Sequence, residues 1–163
     1  MIAAELGYRL AGVTDGEGHF GIRTSRRGYS CYFVVKLRAD DLILLERLRE
    51  GTGLGTISWI RVKQTPGRAN NPAVMWRVQT KAECLELVSI FEEYPLWSSK
   101  AEEFPIWADA VRYWHNPIWT EGRNSRGHYE QLIDWTPMEL ANERLRAIRA
   151  YVTPLELREA VPV

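Results

Sequence analysis

The chain of 163 residues carries 21 lysines and arginines against 21 aspartates and glutamates, a formal net charge of zero, and 45% hydrophobic residues. That length and apolar content suit one domain with its own core; no stretch reads as a bilayer span or leader, so a soluble intracellular protein, cytoplasmic or organellar, with no membrane partner is expected. Zero net charge excludes binding a polyanion through bulk charge, and Cys31 and Cys84, far apart and without histidine pairs nearby, exclude a zinc ribbon or a disulfide scaffold and are expected as buried small hydrophobes.

The first element is a helix. Ile2, Leu6, Leu10 and Val13 recur at helical spacing and form one apolar stripe, while Gly12 and Gly16, four apart, leave a second face with almost no side chain. Glycine inside a helix costs roughly 1 kcal/mol relative to alanine, so the pair implies that another backbone comes close there. Gly16 and Gly18 also fit a left-handed helix stop, a reading that leaves Gly12 unexplained. From His19 the period changes to two: Phe20 and Ile22 alternate with His19, Gly21 and Arg23. Beyond a turn at Gly28, Cys31, Phe33, Val35 and Leu37 alternate with Tyr32, Val34, Lys36 and Arg38, which makes a hairpin with one apolar and one basic face.

Asp40 and Asp41 then cap a helix lined by Leu42, Leu45 and Leu48, which ends at Gly51-Thr52-Gly53. Strands over 57–63 and 73–79 follow, joined by a polar loop rich in proline and glycine. Trp76 and Val78 face the core and Met75, Arg77 and Gln79 the other side, while Trp59, Ile60 and Val62 leave the face of the third strand open. At Lys81 the period returns to helical, with Cys84, Leu85, Val88 and Phe91 as a stripe ending near Tyr94-Pro95, and a further helix runs over 98–113. The order α-β-β-α-β-β-α predicts an α+β domain, a four-stranded antiparallel saddle sheet with helices on one face.

Residues 116–163 are expected to pack as a tail on the domain formed by 1–115. A loop over 116–127 precedes two capping boxes, Thr136-Pro137-Met138-Glu139 and Thr153-Pro154-Leu155-Glu156, each with proline at the first helical position. Met138, Ala141, Leu145, Ile148 and Val152 form a stripe that packs on the back of the domain; alternatively Arg144, Arg146 and Arg149, with Arg123 and Arg126 of the loop, reach phosphates. Charge is uneven along the chain. Arg23, Arg26, Arg27, Lys36 and Arg38 fall in one stretch without an acid, and Arg61, Lys63, Arg68, Arg77 and Lys81 in another; both stretches are the predicted strands.

The segment Leu10-Ala11-Gly12-Val13-Thr14-Asp15-Gly16-Glu17-Gly18 resembles the signature of the LAGLIDADG homing endonucleases, in which Glu17 replaces one carboxylate by another. The order of elements through about Trp114 and the spacing of Tyr94-Pro95-Leu96, Lys100 and Phe104 are similar to that family as well. The resemblance implies a site-specific endonuclease that cuts both strands of a long double-stranded DNA target with a divalent metal, magnesium, and no small-molecule cofactor. It implies Glu17 as the catalytic metal ligand with the Gly16 carbonyl as companion, Asp15 as an orienting or assisting acid, and Lys100 as a water-ordering lysine. Leu37 stands where many relatives carry a polar residue, a departure that Lys36, Arg38 or a shift of one residue in register would repair.

The chemistry agrees with this assignment. Phosphodiester hydrolysis needs an in-line water and neutralised phosphate charge, which carboxylate-held magnesium supplies. The helix macrodipole disfavours an acid at a helix C-terminus, so Glu17 there fits an ion site; the plainer reading is a solvated acid. The chain holds no second copy of the nonapeptide, so one chain carries half of a two-strand site, and a homodimer packed through Tyr8, Gly12 and Gly16 brings two Glu17 side chains together. His19, Arg23, Ser25, Arg27, Ser30, Tyr32, Lys36, Arg38, Arg77 and Gln79 are the side chains expected on DNA, some on base edges and some on phosphates. A solvated basic face is the plainer reading of these. Two other functions are open: a non-cleaving nucleic-acid binder of the same fold, a splicing maturase or regulator, or an interaction module built on Trp97, Trp107, Trp114, Trp119 and Trp135. Core-like helical spacing of these tryptophans argues against the last.

Overall fold

A computed structural model describes residues 2–60, 71–123 and 127–150. Helix α1 (Ala4–Glu17) buries Leu10, Ala11 and Thr14 and runs directly into strand β1 (Gly18–Ser25). Gly18 at the junction is extended, with φ −72° and ψ 148°, and Gly16 also lies outside the positive-φ region. The left-handed stop is therefore not used. Gly18 is small for another reason: a Cβ there would stand 2.6 Å from the Thr14 methyl group.

β1 pairs with β2 (Gly28–Arg38) across a turn at Arg26 and Arg27, so Arg27 sits in the turn, one step earlier than the expected bend at Gly28. A single 3₁₀ turn (Ala39–Asp41) leads into α2 (Leu42–Thr52). Neither aspartate caps α2 as expected: Asp41 accepts no capping hydrogen bond, and Asp40 instead pairs with Arg38 at 2.7 Å. Gly53, at φ 72°, closes the helix by donating its N–H to the Arg49 carbonyl.

β3 (Thr56–Ile60) and β4 (Ala73–Val78) complete an antiparallel sheet ordered β1-β2-β4-β3. The register settles the face of β3. Ile57 lies opposite Trp76 and Trp59 opposite Val74, so both point to the helix side, although Trp59 at the sheet edge stays 63% exposed. The rest of the expected third strand and most of its loop, residues 61–70, lie outside the described residues.

Helix α3 (Lys81–Glu93) opens with a reciprocal capping box between Thr80 and Glu83, and α4 (Lys100–His115) follows. The helix side of the sheet is the core: Phe20, Phe33, Val35, Val74, Trp76 and Val78 are fully buried. Phe20 is its hub, with the rings of Phe33, Phe91, Phe104 and Trp107 centred 5.0 to 5.8 Å away. Such offset and edge contacts add to the area-driven burial of each ring. Cys31 and Cys84 are buried free thiols, and burial pushes that of Cys84 up to about 12.

The tail departs from expectation in three ways. Residues 116–127 are not all loop, because β5 (Trp119–Arg123) pairs with β6 (Tyr129–Ile133) in a separate ribbon. Its residues are mostly exposed, so it had no apolar alternation to betray it. Thr136 is not the cap but the first residue of helix α5 (Thr136–Ile148): Trp135 is the N-cap and offers no side-chain cap, and the Asp134 carboxylate accepts the Thr136 N–H at 3.0 Å. Met138, Ala141 and Leu145 are buried where α5 meets α4, while Ile148 is 43% exposed. Val152 and the second capping box lie outside the described residues. Third, Trp119, on β5, is not a core residue but 56% exposed; outside the tail the same holds for Trp97, in the α3–α4 connection, which is 89% exposed. No helix among the described residues is long and apolar enough to cross a membrane.

Candidate functional site

Strand register assigns the outward face of the sheet residue by residue. His19 pairs with Val34, which pairs with Arg77, which pairs with Thr56, and this row crosses all four strands. The next rows carry Tyr32 opposite Gly21, Arg23 opposite Ser30, Lys36 opposite Met75 and Arg38 opposite Ala73. Among the described residues, Asp and Glu are absent from every outward position of this sheet. Leu37 turns to the helix side and packs against the core, so Lys36 and Arg38 are the outward residues at that end of β2. Arg38 is partly neutralised by Asp40. Arg27 and Ser25 belong to the hairpin tip, where the Ser25 hydroxyl accepts the Arg27 N–H at 3.2 Å.

A concavity of about 260 Å³ opens on this face, lined by His19, Arg23, Tyr32, Val34, Arg77 and Gln79. Gly21 makes room for one of its walls, the Tyr32 ring. A Cβ there would stand 2.1 Å from Tyr32 Cζ, so the tyrosine ring lies flat across β1 only over a glycine, 6.0 Å from the His19 ring. Arg77 Nε is buried without a hydrogen-bond partner among the described residues.

At the edge of the face, α1 ends and β1 begins. Asp15 and Glu17 leave this junction in different directions. The Asp15 carboxylate accepts the Trp97 N–H at 3.1 Å, the Ser98 N–H at 2.9 Å and the Ser98 hydroxyl at 2.8 Å. Burial raises the Asp15 carboxyl, but the hydrogen bonds from Ser98 and Trp97 outweigh it and hold the group below its ordinary value. Asp15 therefore ties the end of α1 to the α3–α4 connection. Glu17 is exposed, with neither ion pair nor hydrogen bond among the described residues. The last carbonyls of a helix lack partners within it. Here Gly18 N–H takes that of Thr14 and the Ser98 hydroxyl takes that of Asp15, and the Gly16 carbonyl is the next along.

Lys100 stands at the start of α4, its backbone N–H on the Ser98 hydroxyl at 3.2 Å. Its ammonium is held 2.8 Å from Glu103, a carboxylate only 4% exposed that also receives Arg149 from the end of α5. Burial raises the Glu103 carboxyl, and the bonds from Arg149 and Lys100 overcome that and lower it. His19 sits within the field of the same group: burial and then the charges of Arg149 and Lys100 lower its value. Sequence reasoning missed Glu103 altogether and offered a phosphate contact for Arg149 only as the alternative to a helix packed on the back of the domain. Arg149 instead turns inward to Glu103 and to the Phe20 carbonyl.

The face of α1 predicted as an interface is open. Tyr8 is 63% exposed, and a Cβ added at Gly12 or Gly16 would meet nothing within 4 Å. Tyr8 stacks edge-on against Tyr94 at 5.1 Å, which fixes one end of that face.

An acid-free sheet face of arginine, lysine, histidine and amide groups with a free carboxylate at its edge is a surface shaped for a polyanion, not for a small apolar ligand. Comparison with known proteins gives the family. A model of the LAGLIDADG endonucleases matches residues 10–111, and the chain belongs to that family. The meganuclease I-AabMI, solved bound to uncleaved DNA, is 29% identical over a match covering 68% of this chain and 37% of the relative, with a TM-score of 0.57. I-CpaMI, also bound to uncleaved DNA, is 23% identical over 68% of this chain and 38% of its own, at 0.57. I-SmaMI, bound to an uncleaved DNA target in the presence of calcium ions, is 17% identical over 94% of this chain and 48% of its own, at 0.62; the last two speak for the fold alone. The chain spans less than half the length of these solved structures.

Proposed function

We propose that the chain is a site-specific homing endonuclease that binds double-stranded DNA across its basic sheet face and cuts both strands as a homodimer with a divalent metal. The observation that carries this reading is the exposed Glu17, without a partner among the described residues, at the edge of a sheet face whose described outward positions hold no acid. In it, Arg23, Lys36, Arg77 and Gln79 meet base edges and phosphates in the major groove, with His19, Ser30 and Tyr32 beside them and Ser25, Arg27 and Arg38 at the margins.

The donor set fits a hard cation. Glu17 and the Gly16 carbonyl offer oxygen only, and no group of three histidine, cysteine, aspartate or glutamate side chains among the described residues forms a ligand cage. Magnesium suits so few protein ligands because it fills its remaining positions with water and phosphate oxygens. When bound, it supplies Lewis-acid neutralisation of the phosphate and the leaving oxygen. Asp15 orients the junction that aims Glu17, and Lys100 orders water near the phosphate. A second copy packed on Tyr8, Gly12 and Gly16 supplies the second Glu17.

The test uses a duplex target selected from a randomised library in calcium. With magnesium the wild-type protein should cut both strands, and Glu17→Gln should lose at least about a thousandfold in single-turnover rate while its Kd stays within a few-fold, the pattern of an interaction made in the transition state. Tight binding with no cutting by the wild type sinks the nuclease reading and leaves the non-cleaving binder.

A further inference from the structure

We propose that Glu103 and Arg149 are positioning residues for Lys100, so that the C-terminal end of α5 sets the geometry of the reaction centre. The proposal rests on the nuclease reading for the role of Lys100, and on a closed circuit of contacts for its structure. Asp15 holds Ser98, whose hydroxyl takes the Lys100 N–H at 3.2 Å. The Lys100 ammonium reaches Glu103 Oε1 at 2.8 Å, and Arg149 Nε reaches Oε2 at 2.8 Å. Arg149 Nη2 then donates to the Phe20 carbonyl at 2.5 Å, 129 positions back along the chain. Phe20 lies on β1, just beyond the junction that carries Glu17. The circuit thus starts and ends at the two sides of the candidate site.

Its energetics argue against a casual surface pair. The Glu103 side chain is 5% exposed and those of Lys100 and Arg149 are 18% and 26% exposed. A carboxylate so far from water is stable only when paired and hydrogen-bonded, and removing one partner of such a group is strongly destabilising to its geometry. Two cations on one carboxylate leave a net positive charge, with Glu103 as the fixed point between them. Arg149 holds Glu103 from the side away from Lys100, through a planar guanidinium that grips the carboxylate and the Phe20 carbonyl together, which lysine's single ammonium does less well. Lys100 is therefore held in one place, and that pose depends on a helix outside the signature motif.

Two measurements decide it. Amine labelling read by mass spectrometry needs neither DNA nor metal: Lys100 should react slowly in the wild type, and several-fold faster in Glu103→Gln and Arg149→Met, with exposed Lys36 unchanged as the reference. Unchanged Lys100 labelling overturns the proposal whatever the cutting assay gives. In single turnover on the selected duplex, Glu103→Gln and Arg149→Met should each lose about a hundredfold with Kd kept, the cost expected of a misplaced reacting group, and Arg149→Lys should recover part of it. Placed in a Lys100→Met background, Glu103→Gln should add nothing further. Losses that add in that background mean a general structural role and also overturn it. A wild-type protein that cuts no duplex ends the nuclease reading, while the labelling result still tells whether the circuit holds Lys100.

Discussion

Helix α1 has a closed side and an open side, and glycine appears on both for opposite reasons. On the closed side a Cβ at Gly7 would stand 2.3 Å from the Tyr94 ring, and one at Gly18 would stand 2.6 Å from Thr14. These glycines are demanded by the chain's own packing. On the open side a Cβ added at Gly12 or Gly16 would find nothing within 4 Å, yet each glycine costs the helix roughly 1 kcal/mol against alanine. Nothing among the described residues offsets that cost. The contrast points to a neighbour outside the chain as the reason for the open side. The same reasoning separates Asp15, bound up in internal hydrogen bonds, from Glu17, which has none among the described residues.

Added bulk on the open side should have the largest effect. Gly12→Leu should leave the far-UV spectrum of the chain intact, since its side chain has free space, but should give monomers in light scattering and reduce cutting at least about a hundredfold by misplacing the second acid. A Gly12→Leu protein that still dimerises and cuts removes the reason for the open side. Bulk on the closed side should act the other way. Gly7→Ala forces its methyl group against the Tyr94 ring and should cost about 1–3 kcal/mol, seen as a lower urea midpoint at unchanged slope and at all protein concentrations.

Next in size is the acid pair. The Asp15 carboxyl is lowered in the folded state, so its contribution is fully present above the carboxyl's ordinary value and is lost as the pH falls through the lowered one. Asp15→Asn should cost about 1–2 kcal/mol at neutral pH, the difference between hydrogen bonds to a charged acceptor and to the neutral amide oxygen that replaces it, and the gap to the wild type should close toward acid. Thermal midpoints of both proteins across that range check it; a gap that stays constant means that Asp15 acts as a neutral acceptor.

What could be read from the residues follows the same division. The β1–β2 hairpin, α2 and β4 were legible because each buries one face and so writes its period into the apolar residues, as Phe33, Val35, Trp76 and Val78 do. The β5–β6 ribbon was hidden because it buries little on either face. The expected Thr136 cap was misplaced by one residue: the helix begins at Thr136 itself, the Trp135 carbonyl takes the Met138 and Glu139 N–H groups, and the Asp134 carboxylate takes the N–H of Thr136. In the site, Glu17, Gly16 and the outward arginines follow from motif and alternation, whereas Glu103 gave no signal: an acid inside a helix reads as solvated until α5 is folded against it. Trp97 and Trp119 misled because aromatic content says nothing about whether a neighbour covers the ring.

The smallest effect is the most pointed. Gly12→Ala places one methyl group in free space on the open side of α1. If this face had no partner, the substitution would be a plain gain, since alanine loses less backbone entropy on folding and stabilises a helix interior by about 0.5–1 kcal/mol. Two measurements at different concentrations separate the cases. In dilute solution, where any dimer has dissociated, urea unfolding should show that gain. At concentrations where the wild type is dimeric, the gain should shrink or reverse, because the methyl group now lies between two closely packed helices. Alanine favoured equally at every concentration would mean that Gly12 serves no assembly; a sign that turns with concentration puts the cost of that glycine where the second copy binds.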